Sequence, residues 1–393
     1  MAAPDRLARE SQLARPPVPE PSATRPLVPP LQPSAVYEVS DLDQIDALYG
    51  GDATGFIYAR DGHPNARELA SKLTALEGSG ASLVCASGMA AEAAVALATL
   101  GAGAHVALSD GVYGRTYALF VRELARYGVE VDRFDAGDPA TLAAVIGPKT
   151  GIVFAETLSN PLLRVADLPG LAEVAARHGA LFVVDNTFAP LICRPLESGA
   201  GAVTHSLTKL IGGHSDLTLG ALCGPAELIE RVGTVGSTFG LSANPFDCWL
   251  CTRSLATLAV RSDRACATAL ALAGRLASHS RVRAVHYPGL AAHPDHDRAE
   301  RLLSRGFGTI VTIDLGGRGE ADRFIRRLSG IPFAPSLGDV ATTLSHPATT
   351  SHRGQSAELW RRQGITPGLI RLSIGLECPD DLWKDLRHAL DLI

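Results

Sequence analysis

Lysine is scarce in this chain: 36 of its 393 residues are basic, yet only positions 72, 149, 209 and 384 are lysines. Three of them have ordinary surface settings. Lys72 falls in the polar phase of an amphipathic helical pattern (ARELASKLTALEG), Lys149 in the turn GPKTG, and Lys384 in a charged C-terminal helix (DDLWKDLRHAL). Lys209 sits instead in AVTHSLTKLIGGHSD, where a short apolar strand ends in small hydroxyl residues and runs into glycines. An ammonium held among such neighbours loses hydration, so its pKa falls and the amine becomes nucleophilic. A Schiff-base lysine needs that property.

Other absences narrow the function class. No apolar run approaches the ~18–20 residues of a transmembrane helix. The start, MAAPDRLARESQLARPP, has no apolar core of a secretory signal, and Asp5, Glu10 and Glu20 argue against a transit peptide. The net charge of −5 offers nothing to a polyanion, so neither a membrane nor a nucleic acid is expected as a partner. Hydrophobic content of 46% with 20% charged residues is ordinary for a globular protein. There is no G-x-G-x-x-G between an early strand and helix, which counts against a dinucleotide-binding site.

The seven cysteines are odd in number and scattered. Cys248 and Cys251 form a C-x-x-C inside NPFDCWLCTRSLATL, a helical pattern in which the pair faces neighbouring elements. No second pair with zinc-site spacing follows. Buried small hydrophobes in a reducing cytoplasm are the expectation. His293 and His296, in AAHPDHDRAE, lack a third ligand and read as a polar surface loop, so no metal is expected.

Residues 1–35 are proline-rich and read as an extended arm or partly disordered leader. From Asp41 the chain becomes regular. Strand-like runs (SLVCAS, HVALSD, VEVDRF, GIVFAE, ALFVVDNT, AVTHSL, LTLGALCG) alternate with helical segments (ARELASKLTALEG, SGMAAEAAVALATLGAG, GRTYALFVRELARYG, PATLAAVI, DLPGLAEVAARHG). Such alternation predicts a mostly parallel sheet covered on both faces. A long helical stretch near 245–275 then leads to a second region, with strands around VRAVHYPG and GTIVTIDLGG, the helix ADRFIRRLSG and a final helix.

Ligands of a parallel α/β sheet collect at the carboxyl ends of its strands, and the candidate residues fall there. Asp185 ends ALFVVD, and a carboxylate at that depth needs a cationic partner. Lys209 follows the next strand, flanked by Ser206 and Thr208. Ser87-Gly88-Met89 joins a strand to a helix, where free amides and the helix dipole suit a phosphate. Each feature alone is commonly structural; a turn and a capping aspartate occur in most α/β proteins. Together they supply an amine for an aldehyde, a carboxylate for a ring nitrogen and a phosphate cup, the requirements of pyridoxal 5′-phosphate.

With these residues in view, the sequence resembles the Cys/Met-metabolism (transsulfuration) family of fold-type I pyridoxal-phosphate enzymes, cystathionine γ-synthase and γ-lyase among them. The resemblance runs from about residue 27 to the C-terminus. Its segments are YARDGHP, CASGMAA, VYGRTYALF, ETLSNPLLRVADL, VVDNTFAP, HSLTKLIGGHSD, SLGDVATTLSHPA and IRLSIGLE. It implies an aspartate-aminotransferase-like α/β fold: an N-terminal arm (1–57), a large cofactor domain with a mostly parallel sheet (58–255), and a smaller C-terminal α/β domain (256–393). It also implies a homodimer or homotetramer with shared active sites.

Residue by residue, the resemblance makes Lys209 the Schiff-base and proton-shuttling lysine, Asp185 the partner of the ring nitrogen, and Tyr113 the stacking tyrosine that can act as a base. Gly88, Met89, Ser206 and Thr208 match the phosphate site. Tyr58 and Arg60 match residues that reach the phosphate of a neighbouring subunit, and Asn160 lies near the ring hydroxyl. Arg371 with Ser336 matches the clamp on the substrate α-carboxylate, for which a guanidinium fork is suited.

Three departures bear on specificity. Arg115 stands where relatives carry glycine, or cysteine in methionine γ-lyases; it is a candidate for pairing with a distal carboxylate of the substrate. Ala341 stands where many relatives carry glutamate. His63 and Asn65 replace the usual asparagine and threonine. The expected activity is γ-elimination or γ-replacement on cystathionine or an O-acylhomoserine, with O-acylhomoserine sulfhydrylase or methionine γ-lyase as the alternative within the family. A non-catalytic relative is a further alternative, against which Lys209, Asp185, Tyr113 and Arg371 together argue.

Overall fold

The protein is described by a computed structural model in which residues 23–393 are placed. The first part of the expected arm, residues 1–22, lies outside the described residues. Residues 23–30 fall in a separate unit and bend without helix or strand. Everything that follows belongs to the second unit, Leu31–Ile393.

Seven strands form the larger sheet: β1 (Ala81–Cys85), β2 (His105–Ser109), β3 (Glu130–Phe134), β4 (Thr150–Glu156), β5 (Leu181–Asp185), β6 (Ala202–Ser206) and β7 (Gly220–Gly224). Their order is β1-β7-β6-β5-β4-β2-β3. The five strands from β6 to β3 are parallel, and β7 runs antiparallel to both β6 and β1. The mostly parallel sheet expected from the alternation is therefore present.

Its central strands are apolar throughout because both faces are covered. On β4, Val153 and Ala155 pack with Leu168, Leu171 and Ala175 of the helix Leu168–Arg177. The alternate residues Ile152 and Phe154 pack on the opposite face with Ala94 and Val95 of the helix Gly88–Thr99. A strand with one solvated face would show polar residues at every second position; β4 shows none from Ile152 to Ala155.

Helix boundaries follow local chemistry. The helix Pro64–Glu77 stops at Gly78, whose φ of 67° is left-handed. At its start, His63 does the work usual for asparagine or threonine: the Ala66 amide donates to His63 Nδ1 at 3.1 Å, and Nε2 donates to the Ala243 carbonyl at 3.1 Å. Burial lowers the His63 pKa, consistent with a neutral ring holding both bonds.

The helical stretch after residue 245 is two helices, Pro245–Leu255 and Leu258–Ala277, rather than one. Cys248 and Cys251 lie on the first and are fully buried among apolar neighbours, as expected. Burial pushes the Cys251 thiol up to about 12. His293 is a correction. It is 5% exposed, accepts the Asp295 amide at 3.2 Å, and is not a surface-loop residue.

A second sheet has the order β10-β11-β9-β8 and is antiparallel throughout. Its strands are β8 (Ala284–His286), β9 (Ile310–Asp314), β10 (Thr343–Ser345) and β11 (Leu369–Ser373). One face packs on helices: Val311, Ile313, Ile370 and Leu372 contact Leu272, Phe324 and Leu386. The other face is polar, and strand alternation places Thr312, Arg371 and Ser373 on it. Thr312 Oγ1 donates to the Pro161 carbonyl at 2.7 Å, joining that face to the loop after β4. Among the described residues, no helix is long and apolar enough to cross a membrane.

Candidate active site

Strand order places the carboxyl ends of β4, β5 and β6 side by side, and a cavity of about 630 Å³ opens over them. That volume suits a small-molecule site. Gly88, Met89, Tyr113, Arg115, Asn160, Asp185, Ser206, Thr208, Lys209, Ser336 and Arg371 all line it. Of the residues expected at the site, only Tyr58 and Arg60 do not. They line a separate hollow, with the Arg60 guanidinium 5.1 Å from the Tyr58 ring centroid and Tyr58 43% exposed.

Lys209 lies in the turn that follows β6, its amide donating to the Ser206 carbonyl at 3.1 Å. Its Nζ donates to Ser336 Oγ at 3.0 Å. The Ser336 loop reaches the lysine because Gly338, with φ of 83°, presses on its backbone. A Cβ at Gly338 would lie 2.5 Å from the Leu210 amide nitrogen and 2.7 Å from the Lys209 carbonyl carbon. Burial, and then the charge of Arg371, lower the Lys209 pKa. The desolvation inferred from the lysine's neighbours is thus met in three dimensions.

Asp185 ends β5 and accepts the Thr187 amide on Oδ1 at 2.8 Å. It is one of three carboxyls lining the cavity: Glu92 and Glu156 are buried and Asp185 is half-buried. Glu156, at the end of β4, accepts the Tyr113 amide at 2.6 Å and so fixes the backbone that carries the Tyr113 ring. Glu92 accepts from Thr116 Oγ1 at 3.0 Å, while its Oε2 is buried without a partner among the described residues. Burial, followed by the charge of Asp185, pushes Glu92 and Glu156 well above the usual carboxylate range. Burial raises Asp185 too, but the Thr187 donors and the His205 ring oppose it. His205, on β6, donates from Nε2 to Glu77 Oε1 at 2.7 Å, with both side chains essentially unexposed.

The anion cup has two halves. Ser87 caps the helix Gly88–Thr99 by accepting the Ala90 amide at 3.1 Å, leaving the first-turn amides of Gly88 and Met89 with no acceptor inside the helix. Ser206 and Thr208 line the other half, the Thr208 hydroxyl donating to the Leu219 carbonyl at 3.2 Å and accepting from its amide at 3.1 Å. The halves meet because position 88 is glycine: a Cβ there would lie 2.9 Å from Ser206 Cβ and 3.1 Å from Ser206 Cα.

Arg371 projects from the polar face of β11 and is 4% exposed. It donates to Asn160 Oδ1 at 2.9 Å and to the Ser336 carbonyl at 3.1 Å, and its Nε is buried without an acceptor among the described residues. Burial pushes its pKa down to about 10. A buried guanidinium with a spare donor is built to receive an anion. Arg115 is exposed at the rim, whereas Ala341 is exposed and does not line the cavity.

Glu92, Glu156, Thr187, His205 and Arg353 also line the cavity and were not singled out from sequence. Glu92 left a signal, as the one charge in an otherwise apolar helix, GMAAEAAVALAT. His205 left none, because its partner Glu77 is 128 positions away.

An amine that can condense with an aldehyde, facing a carboxylate that can keep a ring nitrogen protonated, is the chemistry of a pyridoxal-phosphate enzyme, and this fold is that of fold type I. The donor sets suit that cofactor: the cup has the amides and hydroxyls a phosphate would need, and Asp185 is the carboxylate a ring nitrogen would need. The sequence matches the Cys/Met metabolism PLP-dependent enzymes over residues 11–391, and the chain belongs to that family. It is 37% identical to L-methionine gamma-lyase of Pseudomonas putida over 93% of this chain and 92% of that protein. It is 39% identical to O-succinylhomoserine sulfhydrylase of Pseudomonas aeruginosa, covering 88% of this chain and 86% of that one. The crystal structure of cystathionine gamma synthase from Xanthomonas oryzae pv. oryzae, in complex with cystathionine, superimposes with a TM-score of 0.88 at 36% identity, covering 93% of each chain.

Proposed function

We propose that the protein is a transsulfuration enzyme of the cystathionine γ-synthase/γ-lyase type, catalysing γ-elimination or γ-replacement on cystathionine or an O-acylhomoserine. The observation that carries this reading is the desolvated Lys209 amine, held by Ser336 at 3.0 Å beside the buried Arg371. Pyridoxal phosphate, when bound, supplies an aldehyde that condenses with amines and a protonated ring that withdraws electrons from Cα. The chain's own residues do the rest. Gly88, Met89, Ser206 and Thr208 would hold the phosphate, Asp185 would keep the ring nitrogen protonated, and Asn160 and Tyr113 would complete the ring's surroundings. Arg371 and Ser336 grip the α-carboxylate, directing Cα toward Lys209 Nζ, which takes its proton as a neutral amine. Lys209 relays that proton through Tyr113 toward the γ-substituent, is thereby neutral again to take the second proton, from Cβ, and the γ-substituent leaves protonated.

Tyr58 and Arg60, outside the chain's own cavity and partly exposed, are assigned to the phosphate of a second copy's site, within a homodimer or homotetramer. The division into an arm, a large domain to about residue 255 and a smaller C-terminal domain, and a cytoplasmic location for a chain whose seven cysteines are all unpaired, belong to the same reading. O-acylhomoserine sulfhydrylase or methionine γ-lyase activity is the second reading, favoured by the relatives with those names. Purified enzyme assayed with cystathionine, methionine, cysteine and O-acylhomoserines, scored for oxo acid, thiol and thioether, separates the two. Lys209→Ala is expected to abolish turnover and the visible absorbance of lysine-bound cofactor. A variant that keeps that absorbance unchanged would overturn the assignment.

A further inference from the structure

The charges of the cavity are sorted by depth. Its carboxyls, Glu92, Glu156 and Asp185, lie on its floor among strand ends and the Ala-rich helix. Of its lysine and arginine side chains, Lys209 and Arg371 are held inside by Ser336 and Asn160. The other two, Arg115 and Arg353, are exposed at the rim. Neither side chain makes a hydrogen bond or ion pair with another described residue. Exposed arginines without a carboxylate partner among the described residues occur elsewhere on the surface, Arg231 and Arg387 among them; Arg115 and Arg353 differ in lining the mouth of one cavity together.

Their placement is fixed from both sides. Arg115 opens the helix Gly114–Ala118, two residues past Tyr113. Arg353 lies in the turn after Thr350, and the Ser351 carbonyl packs directly on Gly114, bringing the two segments together. That turn is pinned by Arg122, which donates to the Gly354 carbonyl at 3.0 Å, and by Trp360 Nε1, which donates to the His352 carbonyl at 3.0 Å. The hydroxyl residues Thr349, Thr350 and Ser351 line the cavity on the same side.

We propose that Arg115 and Arg353 form a subsite for a carboxylate at the far end of the substrate's γ-substituent, so that the enzyme prefers γ-substituents that end in a carboxylate to those that do not. The proposal rests on the transsulfuration reading above. With Arg371 committed to the α-carboxylate, a second carboxylate on the same molecule must be received elsewhere, and guanidinium forks match its planar geometry. An O-succinyl ester and the cysteinyl half of cystathionine both end in such a group; a methylthio or acetyl group does not.

The test compares native enzyme, Arg115→Ala, Arg353→Ala and the double variant on O-succinylhomoserine, cystathionine, O-acetylhomoserine and methionine. The double variant is expected to lower the ratio of kcat/KM for substrates with a distal carboxylate over those without one roughly tenfold, the size of a lost charge-assisted contact. The loss should fall in KM, because the contact is made equally in ground and transition states. It should shrink with added salt, since the rim is solvent-exposed. A loss confined to one of the two substrates with a distal carboxylate supports the subsite and identifies the source of the carboxylate. An unchanged ratio, or equal losses on all four substrates, overturns it. A native enzyme inactive on all four overturns the transsulfuration reading, and the subsite with it; native activity with an unchanged ratio overturns the subsite alone.

Discussion

Arg371 and Asn160, 211 positions apart, meet side chain to side chain, with Arg371 Nη1 donating to Asn160 Oδ1 at 2.9 Å. One stands on the smaller sheet and the other in the loop after β4, so the proposed grip on the substrate and the proposed surroundings of the cofactor ring are one hydrogen-bonded unit. Asn160→Ala leaves a buried guanidinium donor unpaired, at a cost of about 1–3 kcal/mol. The expected result is a KM raised roughly tenfold for every amino-acid substrate, irrespective of its γ-substituent. Steady-state kinetics on two substrates differing only at Cγ check this; a substrate-selective effect would contradict it.

Gly88→Ala should act on the cofactor rather than on the substrate. The added methyl meets the Ser206 backbone and Cβ at about 3 Å, forcing the two halves of the anion cup apart. Helix propensity alone predicts stabilisation from this change, by roughly 0.5–1 kcal/mol. The expected outcome is the reverse of that rule at the site: affinity of apoenzyme for pyridoxal phosphate falls at least tenfold, by the size of a lost phosphate contact, without loss of thermal stability in the apo form. Fluorescence titration of apoenzyme, beside a melting curve, reads both.

His352 gives a pH dependence whose sign is determined by burial. It is fully buried, and desolvation, then the charge of Arg371, lower its pKa from 6.5 to about 4. Between those values the unfolded chain binds a proton that the folded chain does not, so stability falls as the pH drops through the window. The contribution is at most about 3 kcal/mol. Denaturant unfolding of native protein and His352→Gln from neutral pH down to about 4 should show the native protein losing more stability. Parallel curves would refute the assignment.

Much of this was legible from local pattern. The alternation of apolar runs and amphipathic segments specified the larger sheet, because each strand is buried on both faces and each helix on one. Lys209, Asp185 and Gly88 were legible because strand-end chemistry is encoded by immediate neighbours. What was not legible depends on distant partners. Strand β10 has only three residues, and β11 pairs with β9 across a separation of more than fifty positions. His205 acquires its environment from Glu77, and His293 is buried only because the chain folds over it. Arg353 lies in a polar loop whose position depends on Gly114.

The alternation on β11 has a further consequence. Ile370 and Leu372 are seated in the apolar core of the smaller sheet, and Arg371 between them points the other way. A one-residue slip of this strand would exchange the two faces, driving a guanidinium into hydrocarbon and presenting an isoleucine to the substrate. Slippage is therefore opposed by the cost of burying a charge unpaired. In β11 the same hydrophobic pattern that folds the sheet keeps the recognition residue from being misdirected, so fidelity of substrate capture is inherited from fidelity of strand pairing.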